Sequence, residues 1–289
     1  MTSDSPKSAL LIAGPTASGK SALALAEARK RGGVIINADS MQVYRELRIV
    51  TARPSIEDEA QAPHRLYGHV SGDDDYSVAR WLADVKAEML RCWGEGTTPI
   101  ICGGTGLYFR ALEMGLAETP AIDPALRQKW RGFEGDLHAA LSKRDPDAAL
   151  RLNPADRQRI IRALEVVEST GRTLAGWQAD AAASNFLNPI NVERVYVNVP
   201  REELYARAER RFDLMMEQGA LDEVKALPAF DAAQPIMKAI GVPELLAHLR
   251  GEISLEQAII NGKTATRQYI KRQLTWWRGR GSEWTSHVA

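Results

Sequence analysis

The stretch Ala9-Leu10-Leu11-Ile12-Ala13, running into Gly14-Pro15-Thr16-Ala17-Ser18-Gly19-Lys20-Ser21, constrains the fold more than any other. A short apolar run of strand type meets G-x-x-x-x-G-K-[ST], and the helical pattern Ala22-Leu23-Ala24-Leu25-Ala26-Glu27-Ala28 follows at once. Gly14 and Gly19 permit a tight turn that aims consecutive N–H groups at phosphate oxygens, and the positive end of the next helix favours the same anion. Lys20 adds a mobile cation, and the Ser21 hydroxyl is placed to ligand Mg²⁺. A glycine-rich turn that binds nothing would need neither the strand before it nor the helix after it. The stretch is a phosphate site, but it does not say whose phosphate.

A second strand, Val34-Ile35-Ile36, flows into Asn37-Ala38-Asp39-Ser40. Strand, loop, helix and strand make a βαβ unit, so the sheet is expected to be parallel. Ligands of such sheets sit beyond the carboxyl ends of the strands, where Asp39 falls. From position alone Asp39 is either a working carboxylate or a turn and capping residue. A third strand, Pro99-Ile100-Ile101-Cys102, ends in Gly103-Gly104-Thr105-Gly106-Leu107-Tyr108-Phe109. A glycine pair and a hydroxyl at a helix start resemble the first loop in kind. Thr105 is therefore expected to point its hydroxyl and N–H at the same anion.

The chain is long enough, at 289 residues, for one large domain or two, and its 26% charged and 45% hydrophobic residues are ordinary for a globular protein. With a formal net charge of zero, a nucleic-acid partner would be held by local patches. Cys92 and Cys102 are the only cysteines, which excludes a disulfide scaffold and a cysteine-ligated zinc site. A polar start and the absence of any long apolar stretch predict a cytoplasmic protein with no membrane partner. Asp73-Asp74-Asp75 reads as the approach to a helix capped by Asp75 or Ser77, not as a metal site. His64 and His69 lack companion ligands at metal-binding spacing.

Composition changes near Thr119-Pro120, and only helical patterns follow to about Asn191. The expected organisation is an α/β core over 1–119 and 192–289, with a helical insertion over 120–191. Within the insertion, Asn153-Pro154 reads as N-cap and first helical residue, and Thr170-Gly171 as a stop. Arg151, Arg157, Arg159 and Arg162 stand against the lone nearby Asp156, which makes either a solvated face or a phosphate-tracking one. Beyond it come a strand, Val195 to Val199, and a helix from Arg201 to Gln218 carrying Arg207, Arg210 and Arg211. A further helix opens at Pro243-Glu244 after Gly241. The segment from Lys263 to Arg280 has six basic residues and no acid. Its Tyr269, Trp276 and Trp277 suit base stacking, while an Ile270, Leu274 and Trp277 stripe would be core.

GPTASGKS at 14–21, DSMQVY at 39–44, GGTGLYFRAL at 103–112, QRIIRALEV at 158–166 and TRQYIKRQLTWWR at 266–278 together resemble the tRNA dimethylallyltransferase (IPP transferase) family, almost end to end. The resemblance implies an α/β fold: a P-loop NTPase-like parallel sheet flanked by helices, with a small all-helical insertion domain. It implies transfer of a dimethylallyl group from dimethylallyl diphosphate to N6 of adenosine 37 in tRNAs that read codons starting with U, with Mg²⁺, by a monomer gripping the anticodon stem-loop. On matching positions Gly14 to Ser21 bind the diphosphate, Asp39 is the general base, and Thr105 contacts the donor oxygen near the scissile bond. The diphosphate arginine of the long helix falls on Arg211, with Arg207 and Arg210 as neighbours. Asp39, Ser40, Met41, Gln42, Arg127, Gln158, Arg159, Ile160, Ile161 and Arg162 match tRNA-contacting stretches. Two departures stand out: Val50 replaces a usual glycine before Thr51-Ala52-Arg53-Pro54, and Gly241-Val242-Pro243 replaces a usual Gly-Tyr. The competing readings are a phosphate-loop small-molecule or nucleotide kinase, which leaves GGTGLYF unexplained, and a GTPase or RNA-binding protein. The GTPase lacks Asn-Lys-x-Asp, and pure RNA binding leaves Lys20 and Asp39 unused.

Overall fold

The computed structural model describes residues 7–117, 119–183, 186–279 and 284–288. The apolar run before the phosphate-binding loop becomes β1 (Ser8–Ala13), buried from Ala9 onward because it lies inside the sheet. Gly19, left-handed at φ 87°, starts α1 (Lys20–Arg31), and left-handed Gly32 ends it behind Arg29, Lys30 and Arg31, which complement the carbonyl end. β2 (Gly33–Asn37) follows, then α2 (Ile56–Gln61), opened by a reciprocal Ser55–Asp58 capping box. β3 is only His64–Arg65, too short for any periodicity to show in the sequence. Ser77, not Asp75, caps α3 (Val78–Gly94), and Asp74 pairs with Arg80 instead. β4 (Thr98–Gly103) leads into α4 (Gly106–Met114).

Two compact units divide at Phe109/Arg110 and at Asn188/Pro189. The helical unit therefore begins inside α4, where the composition change at Thr119-Pro120 is not yet visible. It holds α5 (Pro124–Arg131), α6 (Leu137–Ser142), α7 (Pro146–Arg151), α8 (Arg157–Thr170) and α9 (Leu174–Ala183). Trp130, Leu137, Leu141, Ile160 and Leu164 form its core. The expectation that Asn153-Pro154 starts a helix is corrected. Asn153 accepts from Ala155 in a turn, and Asp156 caps α8 through the Arg159 N–H. The stop at left-handed Gly171 is as expected.

The chain returns to the other unit through β5 (Asn191–Asn198), α10 (Arg201–Glu217), α11 (Ala220–Lys225), a 3₁₀ turn (Pro235–Lys238), α12 (Val242–Leu249), α13 (Leu255–Arg278) and β6 (Thr285–Val288). The strands form one sheet in the order β3-β2-β4-β1-β5-β6, and every pairing is parallel. Leu10, Ile12, Ile35, Ile100, Val197 and Leu204 build the core on it, joined by Ile270 of α13. The carboxyl ends of β1, β2 and β4 come into register at Ala13↔Gly103 and Asn37↔Cys102. That alignment gathers their following loops at one place.

Of the C-terminal aromatics, Trp277 is packed inside, while Tyr269 and Trp276 are half-buried. Trp277 is 4% exposed and meets Phe109 and Trp284 edge to face. Trp276 lies over Gly106, the start of α4, where an added Cβ would collide with its ring. Among the described residues no helix is long and apolar enough to cross a membrane.

Candidate active site

The phosphate-binding loop is closed by its own backbone. The Ser18 N–H donates to the Pro15 carbonyl at 3.2 Å, and Ala17 takes a left-handed φ of 65°. The Ser18 side chain is wholly buried beneath Gly14, where an added Cβ would fall 2.6 Å from its Oγ. The Thr16 N–H does not face an anion: it donates to Gln273 Oε1 at 2.9 Å. The set of converging amides is therefore smaller than the motif alone suggests. Lys20 Nζ folds back to the Pro15 carbonyl at 3.3 Å, with Asp39 and Arg211 beside it. Burial pulls its ammonium below the usual lysine range, and Arg211 adds to that while Asp39 and Cys102 oppose it. Ser21 sits exposed in the first turn of α1.

Asp39 is held by Asn37, which is fully buried at the end of β2. Asn37 Oδ1 accepts the Asp39 N–H at 2.8 Å, and its Nδ2 donates to the Asp39 carbonyl at 2.9 Å. The carboxylate accepts the Met41 N–H at 3.0 Å, so the side chain is aimed as well as the backbone. Ser40 donates its N–H to Thr105 Oγ1 at 3.0 Å, which joins the β2 and β4 loops directly. Gln42 donates to the carbonyls of Thr51 and Ala52, both at 2.9 Å, and carries the next loop.

The expectation for Thr105 needs correcting in part. Its N–H donates to the Ala38 carbonyl at 3.1 Å and is not offered to an anion. The glycine pair before it serves close approach. A Cβ on Gly103 would overlap the Ala38 backbone, and one on Gly104 would fall 2.5 Å from Gln273 Nε2.

A cavity of about 190 Å³ opens between these loops and helices α10 and α13. Its polar lining includes Thr16, Lys20, Asp39, Arg211, Tyr269 and Arg272, and its apolar lining includes Val50, Ala208, Phe212, Met215 and Ile240. Burial pulls the Arg211 guanidinium downward while Asp39 supports its charge. Its helix neighbours are not in the cavity: Arg207 is paired with Glu203 at 2.6 Å, and Arg210 is exposed. Beneath Lys20, the buried Cys102 thiol approaches the Lys20 carbonyl at 3.7 Å, and burial pushes it up to about 11. Burial likewise raises the Cys92 thiol.

The remaining candidates belong to the helical unit. Arg127, Gln158 and Arg159 are exposed, and Arg159 sits 3.3 Å from Asp156. Arg162 donates to Thr119 Oγ1 at 2.8 Å. Ile161 is half-buried, whereas Ile160 is wholly buried in the unit's core, so its side chain is not available as a contact. Arg157 donates to the Arg131 and Phe133 carbonyls, both at 3.0 Å, and so acts as a structural clamp.

Two residues around the site escaped sequence reasoning, Gln273 and Glu223, while Tyr269 was read as a base-stacking aromatic. Tyr269 and Gln273, one turn apart on α13, lie against Thr105 and the phosphate-binding loop, and Glu223 braces the loop carrying Val50. The usable signal was a polar stripe, Thr266, Tyr269 and Gln273 at i, i+3 and i+7, on a helix that also buries Ile270 and Trp277.

Fold and site define a class: an α/β protein with a phosphate-binding loop opening on a cavity lined by both cationic and apolar side chains. The chain belongs to the IPP transferase family. The family model of that description matches residues 42–280, and a model described as isopentenyl transferase matches residues 7–71. A tRNA dimethylallyltransferase of Azorhizobium caulinodans is 55% identical over 283 residues, covering 96% of this chain and 90% of that one. The crystal structure of a full-length tRNA isopentenylpyrophosphate transferase from Bacillus halodurans is 32% identical with a TM-score of 0.70, covering 98% of this chain and 90% of that one. A eukaryotic dimethylallyltransferase captured acting on tRNA is 27% identical with a TM-score of 0.84, covering 98% and 74%.

Proposed function

We propose that this chain transfers a dimethylallyl group from dimethylallyl diphosphate to N6 of adenosine 37 in tRNAs reading codons that start with U. The observation that carries this reading is one cavity lined by the cations Lys20 and Arg211, by apolar Val50, Phe212 and Met215, and by Asp39. Lys20 and Arg211 would hold the diphosphate, Val50, Phe212 and Met215 would pack against a short branched hydrocarbon, and Asp39 would take the proton of the amine. Similarity to a tRNA dimethylallyltransferase over 96% of the chain favours this reading over a phosphate-loop kinase.

The exocyclic amine of adenine is a weak nucleophile because its lone pair is delocalised into the ring. The donor compensates, since its allylic carbon tolerates cationic character as diphosphate leaves. The carbon–oxygen bond to diphosphate breaks, the carbon–N6 bond forms, and the N6 proton passes to Asp39. Lys20 and Arg211 stabilise the charge growing on the leaving group. The N6 proton becomes acidic only as the new bond forms, so a carboxylate held in place suffices as base. Asn37 and the Met41 N–H supply that hold. Thr105 Oγ1, fixed by the Ser40 N–H, stands at the joint between base and phosphate loop and is assigned to the donor oxygen.

The residues fit Mg²⁺ as a substrate-borne ion. Mg²⁺ takes one or two protein ligands and completes its shell with phosphate oxygens and water. The exposed Ser21 hydroxyl in the first turn of α1 would be the protein ligand. The ion would neutralise charge on the diphosphate. Exposed Arg127, Gln158 and Arg159 of the helical unit would meet the anticodon stem-loop of the tRNA, with one chain acting as a monomer in the cytoplasm.

The test is direct. Purified protein with Mg²⁺, dimethylallyl diphosphate and unmodified tRNA should add about 68 Da to the RNA, the mass of C₅H₈, and release diphosphate without ATP. Phosphate on a small acceptor, with no mass gained by the tRNA, overturns the reading.

A further inference from the structure

Gln273 is 5% exposed and does not line the cavity, yet both ends of its amide are used. Oε1 accepts the Thr16 N–H at 2.9 Å, and Nε2 donates to the Gly104 carbonyl at 3.0 Å. One side chain on α13 thus spans the loop after β1 and the loop after β4. Among the described residues, no main-chain hydrogen bond outside the β1–β4 ladder joins those two loops; the Thr105 N–H goes to Ala38, and the Ser18 N–H to Pro15. Gly104 has the space for this contact only as glycine, since a Cβ there would fall 2.5 Å from Nε2 and 3.3 Å from the Gly14 carbonyl. The bond to Thr16 also withdraws one amide from the phosphate-binding loop.

We propose that Gln273 is a positioning residue: it sets the spacing between the phosphate-binding loop and the Gly104–Thr105 corner, which bonds Ala38 and Ser40 on either side of Asp39. The inference rests on the transfer reading above. A single amide satisfies one donor and one acceptor that lie on different loops. Removing it leaves the Thr16 N–H and the Gly104 carbonyl to find separate partners, so the two loops lose their common reference. The proposed diphosphate site keeps Lys20, Arg211 of α10 and the loop's remaining amides. Diphosphate affinity should therefore survive while the attack geometry degrades. A misplacement on the order of 1 Å is enough to cost ~10²-fold in rate.

The experiment uses the full chain with Gln273→Met, which keeps length and loses both bonds, and Gln273→Glu, which keeps the Thr16 acceptor but sets an oxygen against the Gly104 carbonyl. Gly104→Ala approaches the same contact from the other side. Each is measured for inorganic diphosphate Kd by calorimetry, for kcat and KM with tRNA, and for Tm. Expected for Gln273→Met is a fall in kcat of ~10–100-fold with diphosphate Kd and tRNA KM within about threefold of wild type. Gly104→Ala should reproduce it, and the double variant should be no worse than either alone, because both act on one contact. Wild-type kcat in Gln273→Met overturns the proposal, as does an additive double variant. A parallel loss of Kd, KM, kcat and Tm assigns Gln273 a merely structural role and overturns it too. If Gln273→Met does not fold, the same criteria apply to Gln273→Glu. A wild-type protein that binds diphosphate but adds nothing to tRNA would defeat the transfer reading instead, and the two failures are thereby told apart.

Discussion

The carboxylate of Glu223 accepts the N–H of Val50 at 2.8 Å, and the same side chain takes the N–H groups of Arg48 and Ile49 at 2.7 and 2.8 Å. Three successive amides of the loop that walls the cavity thus hang on one acid from α11. Glu223→Ala should lower stability by about 2–3 kcal/mol, the scale of hydrogen bonds to a charged acceptor. It should also raise the donor KM, because Val50 and Thr51 line the cavity. Chemical denaturation and steady-state kinetics check both. An unchanged KM at reduced stability would separate the loop from the site.

Asp39→Asn should lower kcat by ~10²–10⁴-fold while tRNA affinity stays near wild type. The asparagine carbonyl can still accept from Met41, so the loop is expected to keep its shape. Near-normal turnover would remove Asp39 from the role of base.

Among the arginines of α10, only Arg211 reaches the cavity. Arg211→Ala should weaken inorganic diphosphate binding by ~10²-fold, in line with a charge-assisted contact. Arg207→Ala should leave it unchanged, because Arg207 is spent on Glu203. Calorimetry on both variants decides the point.

Lys20 gives a pH dependence of definite sign. Burial lowers its pKa in the free protein, and a bound diphosphate, being anionic, raises it again. Between the two values, binding takes up a proton. Diphosphate affinity should therefore fall as pH rises through the free-state pKa, which lies below the ordinary lysine range. Calorimetry in two buffers of different ionisation heat measures the uptake directly. Proton release on the alkaline side would contradict the assignment.

Two arginines of the helical unit should behave differently. Arg127→Ala, at an exposed position, should flatten the log–log salt slope of tRNA binding by roughly 0.7–0.9. Arg157→Ala should instead lower Tm, since its guanidinium holds the Arg131 and Phe133 carbonyls. A slope change from Arg157 without a stability change would reverse these roles.

How much of this was legible beforehand follows the range of the interactions. The strand ends at Ala13, Asn37 and Gly103 were marked by local punctuation, glycine and polar residues after apolar runs, and the loops landed where those marks said. Asp39 and Lys20 came with them, because backbone topology alone brings the ends of parallel strands together. The partners of Thr16, Gly104 and Val50 were not legible. Gln273 lies 257 positions from Thr16, and Glu223 lies 173 from Val50, so no local pattern announces either pairing. The glycine pair of GGTG was read as resembling the first loop in kind, with Thr105 aimed at the anion, whereas the glycines make close contact with Ala38, Gln273 and Trp276. The cap at Asn153 was misplaced because Asp156, three residues on, offers an equally good acceptor.

Burial of both thiols makes the native chain a ready background for site-specific labelling. Burial pushes the Cys102 thiol up to about 11 and shifts Cys92 upward as well, so neither presents a thiolate near neutrality. A maleimide dye at pH 7 should leave wild-type protein almost unmodified. A single cysteine placed at Leu150, 87% exposed on α7, then takes the label alone. No native cysteine has to be removed first, so fluorescence can follow tRNA arrival on a protein whose catalytic chemistry is untouched.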